Sequence, residues 1–253
     1  MGVSLKNIVS NIPYPIGKML TSIPFGLRLG ATYNDFSKMI YESLNWSTDE
    51  KMNYIISHLN RVKTVAQSKY NFYSSLYNEH GVLDLTIKDL SDWSKIPLIS
   101  KEDLRTHSSE FTEKYLINTG GTSGEPFAFY IDKKAWAREW AHMHYIWRLK
   151  GYNYRLPKIT LRGKDLGADV FKFNPIHNEF VVNTYIDYSE PKNARLIKEL
   201  ILSKNISFVH GYPSAIFAFF NEIQKALTDS EIEEIKANLK IAFLGSEFPL
   251  PYM

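Results

Sequence analysis

Residues 117–126 have the sequence INTGGTSGEP, in which small residues are dense. Glycine admits backbone conformations with positive φ and lets a ligand approach the main chain closely. Threonine and serine add hydroxyl donors, and successive backbone N–H groups in a tight turn form an anion-binding site. The flanking sequences YLINT and FAFYI are rich in β-branched and aromatic residues, which predicts a strand on each side. The stretch therefore predicts either a plain hairpin loop or a hairpin that binds phosphate.

Neither of the two common phosphate loops matches this stretch. A Walker A loop needs a lysine followed by serine or threonine, and this loop ends in Glu125 and Pro126 instead. The dinucleotide fingerprint fails because Gly120, Gly121 and Gly124 do not have its spacing, and a strand rather than a helix is predicted to follow.

The amino-acid composition excludes several classes of protein. The chain has 253 residues, of which 44% are hydrophobic, so it can form one large domain, with or without a small N-terminal appendage. The net charge of +3 comes from 30 basic and 27 acidic residues without a long basic run, which disfavours nucleic acid as a partner. The absence of cysteine excludes disulfides and thiolate sites and fits a cytoplasmic location. His142 and His144 lie two residues apart, too close in sequence to share a helix face, so we predict no metal site from them.

The first thirty residues are not expected to form a signal peptide or a membrane span. Pro13, Pro15, Lys18, Pro24 and Arg28 interrupt every candidate apolar core. No apolar run reaches the length of a membrane helix, about 18 residues or more. An amphipathic start that associates with a surface stays open as an alternative.

The first half of the chain is predicted to be helical. The pattern runs from Asn34 to about Glu79, with a break where Ser47 and Glu50 form a capping box. Ser100 and Asp103 are predicted to begin a short helix. A further helix is predicted over residues 133–149, whose aromatic stripe we assign to the core: Trp136, Trp140, Met143 and Trp147.

Beyond Gly151, predicted strands and helices alternate. The strands are KITLRG, EFVVNTYI, ISFVHGY and LKIAFLG, and the helices begin at Pro191 and Pro213. This order predicts an α/β fold with a mixed, largely parallel sheet and flanking helices, in which ligands bind at the carboxyl ends of the strands. Two strand ends stand out there, one from His210 to Ser214 and one from Leu244 to Glu247.

These segments together resemble one known family. TVAQSKYNFYSSLYNEHGV, LSDWSKIPLISKEDLR, the loop TGGTSGEP, VHGYPSAI and LKIAFLGSEFPL follow the order seen in the phenylacetate-CoA ligase family and its CapK-like relatives, a branch of the adenylate-forming acid ligases. The resemblance extends over about residues 30–253. One departure is Glu125 in place of the commoner lysine, which removes a positive charge near the triphosphate.

The resemblance implies that the protein activates a carboxylic acid with ATP and passes the acyl group to coenzyme A or another acceptor, with a link to capsular or surface polysaccharide synthesis. It implies Mg²⁺ with ATP. His210, Tyr212 and Ser214 are expected to line the acid pocket, although His210 is equally well explained as a hydrogen-bonded histidine at a strand end. The residues expected to bind the nucleotide are Thr119, Gly120, Gly121, Thr122, Ser123 and Gly124 on the phosphates and Gly245, Ser246 and Glu247 beside the adenine.

The resemblance also predicts the domain organisation. Residues 1–110 are expected to form a helical N-terminal segment that packs on the core, and residues 111–253 part of the large ATP-binding α/β domain. The family's metal-binding Glu, ribose-binding Asp and catalytic Lys have no counterpart in this sequence, so we expect the 253-residue chain alone to be inactive. Two alternatives stay open: a truncated, non-catalytic remnant that acts as a binding or scaffolding protein, and a polysaccharide-modifying acyltransferase partner that does not need ATP.

Overall fold

The computed structural model describes residues 12–111, 115–118 and 127–252. The chain divides into two compact units. The first comprises Met1–Ala31 and His142–Met253, and the second comprises Thr32–Ala141. The predicted domain boundary between residues 110 and 111 stays a prediction. Within the described residues, no helix is long and apolar enough to cross a membrane.

The described elements are numbered in chain order. The helices are α1 (Tyr14–Leu20), α2 (Phe25–Leu29), α3 (Ala31–Ser43), α4 (Thr48–Lys69), α5 (Asn71–Glu79), α6 (Leu90–Trp93), α7 (Lys101–Thr106), α8 (Lys133–Arg148), α9 (Pro191–Ser203), α10 (Pro213–Ala226) and α11 (Asp229–Asn238). The strands are β1 (Tyr115–Asn118), β2 (Ala128–Ile131), β3 (Lys158–Lys164), β4 (Phe171–Asn174), β5 (Glu179–Asn183), β6 (Phe208–Gly211) and β7 (Ile241–Leu244).

Local sequence signals account for the helices of the second unit. Ser47 and Glu50 form the predicted capping box at the start of α4, with the Ser47 N–H donating to Glu50 Oε2 at 2.7 Å. Ser100 and Asp103 form the other predicted box at the start of α7. Such boxes satisfy backbone N–H groups that have no partner within the helix. Both helix starts are therefore confirmed.

The hairpin of the second unit is also confirmed. Strands β1 and β2 pair antiparallel, with Tyr115 opposite Ile131 and Asn118 opposite Ala128. The glycine-rich loop connects these two strands, and its residues 119–126 lie outside the described part of the chain.

The first unit contains a five-stranded sheet in the order β4-β5-β3-β6-β7. Strands β5, β3, β6 and β7 are parallel, whereas β4 pairs antiparallel with β5. The predicted largely parallel sheet is confirmed. The antiparallel edge strand β4 was not predicted.

The two faces of this sheet differ in character, because successive side chains of a strand point to opposite faces. One face is apolar and forms a core with helices α9, α10 and α11. The other face carries Lys158 and Thr160 of β3 and His210 of β6, with Thr160 directly opposite His210. Trp147 packs against His210 on this second face. The sheet therefore has one ordinary apolar face and one face with buried polar groups.

Gly211 fixes the close approach of β6 and β3. A Cβ atom at this position would lie 2.1 Å from the carbonyl oxygen of Leu161, much nearer than the sum of van der Waals radii. Because the clash is with backbone, a side-chain rotation cannot relieve it. A residue other than glycine would push apart the two strands whose ends carry part of the predicted site.

The side chains that helix α8 buries differ from those predicted. Trp147 is buried, but Trp136 is 48% exposed, so the aromatic stripe belongs to the core only towards its C-terminal end. The fully buried positions also include Ala137, Ala141 and His144. The buried line is displaced from the tryptophans onto the small alanines, which allow close packing.

Candidate functional site

The two predicted strand ends lie side by side. Strands β6 and β7 are neighbours, with His210 opposite Phe243 and Gly211 opposite Leu244. Beyond the strands, the N–H of Gly245 donates to the carbonyl of Gly211 at 3.1 Å. The carboxyl ends of adjacent parallel strands are where α/β folds bind ligands. The sheet thus brings the 210–214 and 245–247 segments together, although they are distant in sequence.

A hydrogen-bonded link joins the 245–247 turn to helix α10. The Ser214 hydroxyl donates to Glu247 Oε2 at 2.6 Å, and the Ser214 N–H donates to the same oxygen at 3.1 Å. Pro213 is the first helical residue, so its missing N–H costs no hydrogen bond. Glu247 therefore caps the helix and places a negative charge at the positive end of the helix dipole. This contact holds the turn in place.

The backbone of the turn is unusual at Ser246, which has a φ of 66°. A residue with a side chain pays about 1–2 kcal/mol in this left-handed region. Such conformations persist when surrounding contacts hold them, and they concentrate at functional sites. Here the Gly245 hydrogen bond on one side and the Glu247 cap on the other provide those contacts. Gly245 itself has open space around it, since a Cβ would meet nothing within 4 Å.

His210 lies on the polar face of the sheet and is only 1% exposed. Its ring meets the Trp147 ring edge-on, with centroids 4.7 Å apart. Burial lowers the pKa of His210 to about 3, and the nearby positive charges of Arg162 and Lys158 act in the same direction. Among the described residues, its Nδ1 has no hydrogen-bond partner. His210 is thus a neutral, buried side chain at the end of β6. Both explanations for it, a hydrogen-bonded histidine at a strand end and a residue lining an acid pocket, stay predictions.

Tyr212 and Ser214 lie beside His210 at the start of α10. Tyr212 precedes the helix and donates its N–H to the Leu161 carbonyl at 3.2 Å. The side chain of Tyr212 is partly exposed and that of Ser214 is exposed. Both lie at the carboxyl ends of the parallel strands, as the 245–247 turn does.

Sequence reasoning missed a buried charged cluster on the same face. Lys158 Nζ lies 3.4 Å from Glu179 Oε2, and both side chains are buried. The Thr160 hydroxyl donates to Glu179 Oε2 at 2.7 Å, and the Asn174 amide donates to Oε1 at 2.9 Å. Burial alone would raise the pKa of Glu179, but Lys158, His177 and these hydrogen bonds together lower the pKa to about 2.

This cluster is placed away from the strand ends that form the candidate site. Lys158 and Glu179 are the first residues of β3 and β5, so they lie towards the amino ends of the parallel strands. Lys158 also donates to the His177 carbonyl at 2.9 Å. The cluster is well satisfied and supports the pairing of β3, β5 and β4. The sequence does not indicate that Lys158 and Glu179 form a pair. Charged residues at the start of a strand are common on protein surfaces, so their presence alone does not predict burial.

In the second unit, an aromatic cavity lies beside the strands that carry the glycine-rich loop. Its volume is about 190 Å³, and its lining comprises Tyr70, Tyr73, Leu104, Ser108, Phe111 and residues 127–130. The predicted phosphate-binding residues Thr119, Gly120, Gly121, Thr122, Ser123 and Gly124 lie outside the described residues. Their roles stay predictions.

Among the residues that the structure describes, no three His, Asp or Glu side chains are grouped so that they could hold a metal ion. Glu247, the carboxylate at the candidate site, is engaged with Ser214. The expected Mg²⁺ stays a prediction.

The comparisons with known proteins give a likeness at the level of fold. No family model matches the sequence, and no curated protein matches it. Two similar solved structures are both of 2-hydroxyisobutyryl-CoA ligase. One, in complex with 2-HIB-AMP and CoA in the thioesterification state, has a TM-score of 0.56 and 19% identity, and covers 79% of this chain and 44% of that chain. The other, an open conformation in complex with the same two molecules, has a TM-score of 0.50 and 16% identity, and covers 70% of this chain and 44% of that chain.

The likeness establishes the architecture. This chain has a mixed α/β fold, with a parallel-containing sheet and flanking helices, that is similar to part of the fold of 2-hydroxyisobutyryl-CoA ligase. It spans less than half the length of the ligases it matches, since it covers 44% of each. At these identities, activity and substrate do not follow from the likeness.

Proposed function

We propose that this protein takes part in the ATP-dependent activation of a carboxylic acid to an acyl-adenylate, with later transfer of the acyl group to coenzyme A or another acceptor. The observation that carries the proposal is the turn at residues 245–247, held by hydrogen bonds to Gly211 and Ser214 at the carboxyl edge of the sheet. The fold that this chain shares with 2-hydroxyisobutyryl-CoA ligase supports the proposal.

The chemistry needs orientation more than it needs acid or base groups. A carboxylate oxygen attacks the α-phosphorus of ATP, the bond to the β-phosphate breaks, and pyrophosphate leaves with that electron pair. A thiol then attacks the acyl carbonyl, the bond to AMP breaks, and the thiol proton passes to solvent. Holding the carboxylate in line with the phosphorus and offsetting phosphate charge provide most of the acceleration.

In this proposal the 245–247 turn flanks the adenine. Gly245 leaves open space where any side chain would project, which suits a flat ring that approaches the backbone closely. The strained Ser246 and the engaged Glu247 keep that flank in a fixed shape. The role of Glu247 here is to position the turn. Tyr212, Ser214 and the buried His210 would lie towards the acid.

The glycine-rich loop would take the phosphates. Thr119, Thr122 and Ser123 would donate hydroxyl hydrogen bonds, and Gly120, Gly121 and Gly124 would donate backbone N–H groups. The antiparallel strands β1 and β2 provide the frame from which this loop extends. Mg²⁺ is expected with ATP in this class of reaction.

The proposed family branch and biological role rest on the sequence resemblance. The order of motifs from residue 30 onward supports the phenylacetate-CoA ligase family and its CapK-like branch, and with it a role in capsular or surface polysaccharide synthesis. A cytoplasmic location, with ATP and a small carboxylic acid as partners, belongs to the same proposal.

The test is ATP–pyrophosphate exchange by the full-length protein across a panel of carboxylic acids, alongside ATP binding by calorimetry. Gly245→Leu should fill the open flank and weaken ATP binding by about tenfold or more, as expected for loss of roughly 1.4 kcal/mol. Its thermal unfolding should change little, because nothing lies within 4 Å of the new Cβ.

A matched control is Glu231→Gln, which removes a carboxylate that caps a different helix of the same unit. It should lower stability slightly and leave ATP affinity unchanged. ATP binding that is insensitive to Gly245→Leu would remove the turn from the nucleotide site. ATP binding without exchange for any acid would instead favour a non-catalytic binding protein.

A further inference from the structure

An open cavity of the first unit lies between strand β4 and helix α9. Its volume is about 530 Å³, within the range of about 300–1,000 Å³ that is usual for small-ligand sites. Four aromatic rings and two leucines of α9 provide most of its apolar lining: Tyr14, Phe171, Phe173, Phe180, Leu196 and Leu200. The described residues that line it do not include those of the candidate site. We call this space the β4 cavity.

Strand β4 has outward-facing main-chain groups beside this cavity. It is the outermost strand of the sheet, and three consecutive residues of it line the cavity, Phe171, Lys172 and Phe173. The Asn183 N–H donates to the Val170 carbonyl at 3.0 Å. Because alternate residues of an antiparallel strand direct their N–H and C=O groups to the partner strand, those of Lys172 face β5. The N–H and C=O groups of Phe171 and Phe173 therefore face outward, where they have no partner among the described residues.

Two charged side chains of α9 border the apolar lining. Glu199 and Lys204 both line the cavity, and neither has an ion-pair partner among the described residues. Lys204 Nζ lies over the Tyr14 ring, 4.5 Å from its centroid. Lys172, the other cation that lines the cavity, is paired with Asp169 at 3.0 Å. The cavity thus offers one carboxylate and one ammonium group to a ligand.

These two charges lie towards opposite ends of β4. Helix α9 connects β5 to β6, and both strands are parallel to β3. The helix therefore runs back along the sheet, in the direction of β4, which is antiparallel to β5. Glu199 comes first along α9 and is nearer the Phe171 end of β4, whereas Lys204 is nearer the Phe173 end. The contact of Lys204 with Tyr14, whose ring packs on Phe173, agrees with this order.

We infer that the β4 cavity binds a short apolar peptide with free termini, which adds to β4 as a parallel strand. In a parallel ladder, one residue bonds to two residues of the neighbouring strand that are two positions apart. The central residue of a tripeptide would donate its N–H to the Phe171 carbonyl and accept from the Phe173 N–H. Its first and third side chains would lie beside those two rings. Its ammonium group would meet Glu199 and its carboxylate Lys204. This inference is independent of the proposed ligase function.

Length and charge favour a tripeptide over other occupants. Glu199 and Lys204 are five positions apart, which is about 7.5 Å along the axis of α9. Extended residues advance about 3.3 Å each, so the termini of a tripeptide are about 7–10 Å apart and those of a single amino acid are too close together. A two-fold symmetric pair of β4 strands that used both outward-facing residues would place Lys172 opposite its own copy. Like charges directly opposite each other are destabilising.

Calorimetric titration of the 253-residue chain with the tripeptide Leu-Ala-Leu tests the inference. Three altered forms are compared with the free tripeptide: one acetylated at its N-terminus, one amidated at its C-terminus, and one methylated on its central amide nitrogen. We expect each change to weaken binding by about three- to tenfold, because each removes one ion pair or one main-chain hydrogen bond.

Variants of α9 assign each terminus to its partner. Glu199→Gln should bind the free and the acetylated peptide equally, and Lys204→Met should bind the free and the amidated peptide equally. The matched control is Lys192→Met, which changes an exposed lysine of the same helix outside the cavity. It should remain sensitive to both changes. Circular dichroism should show all three variants folded, because none of these side chains is fully buried.

Three calorimetric outcomes would overturn the inference. They are no binding of the free tripeptide, equal binding of all four forms, and a variant that stays sensitive to the terminus whose partner it lacks. A dimer in light scattering that the tripeptide dissociates would also overturn it, because the edge of β4 would then serve self-association.

Discussion

Mild acid should destabilise the first unit strongly, because this unit holds three histidines in their neutral form: the buried His144 and His210 and the partly buried His177. Burial is the main reason that the pKa falls to about 3 for His144, about 4 for His177 and about 3 for His210. The positive charge of Lys158 adds to the effect in all three. An unfolded histidine has a pKa near 6.5. The folded pKa values are depressed, so the stability linked to these groups is present above about pH 6.5 and is lost as the pH falls from there towards 4.

The dependence of the unfolding free energy on pH follows from the number of protons that the histidines take up on unfolding. Well below pH 6.5, each histidine takes up one proton on unfolding, which costs the folded state about 1.4 kcal/mol per pH unit. Three histidines together make about 4 kcal/mol per pH unit. Between pH 7.5 and pH 5 the unfolding free energy should therefore fall by about 6 kcal/mol in total, which is comparable to the lower end of the range of about 5–15 kcal/mol for whole domains.

Urea unfolding followed by tryptophan fluorescence at about half-unit steps from pH 7.5 to 5 measures this slope. His210→Gln should reduce it by about one third, because one of three titrating groups is removed. The control His142→Gln changes an exposed histidine of α8 and should leave the slope as it is. Stability that stays level from pH 7.5 to 5 would refute the burial of neutral histidines.

Three further outcomes are expected. Lys158→Met should lower the unfolding free energy by about 3–5 kcal/mol in urea titrations, because it leaves Glu179 buried without its cation. Adding Glu179→Gln should restore most of the loss. No recovery in the double variant would show that Lys158 and Glu179 do not act as a pair. In the full-length protein, Thr122→Ala and Ser123→Ala should each slow ATP–pyrophosphate exchange by about tenfold or more, because each loses a charge-assisted hydrogen bond. Unaltered exchange in the double variant would show that the loop takes no part in the reaction. Glu125→Lys should tighten ATP binding most at low salt, because the charge is screened within about 10 Å at 0.1 M; equal affinity across a salt series would place residue 125 away from the phosphates.

Much of the fold was predictable because its signals are local. The serines at positions 47 and 100 each precede an acidic residue by three positions, and that spacing alone predicts where α4 and α7 begin. The alternation of strands and helices after Gly151 likewise predicts a parallel sheet. Strand β4 (Phe171–Asn174) was not predicted, and it pairs antiparallel with β5 where the pattern favoured parallel neighbours.

The arrangement of the candidate site was less accessible to sequence reasoning. Glu247 and Ser214 are 33 residues apart, and their hydrogen bond exists because β6 and β7 happen to be neighbours in the sheet. Strand order is a tertiary property that residue types do not encode at either position. The same holds for Lys158 and Glu179, which meet through the register of β3 and β5. The family resemblance identified the two segments, whereas only the sheet shows what holds them.

The packing of α1 on β4 has a practical consequence for handling this protein. Strand β4 is at the edge of the sheet, and Tyr14 covers the rings of Phe173 and Phe180 there. Removing the first twenty residues would uncover aromatic side chains next to the outer edge of β4, which pairs with no further strand among the described residues. Such edges recruit strands of other molecules. Shortened versions that begin after α1 should therefore aggregate during expression. Purification tags should be fused so that the chain from Tyr14 onward is left intact.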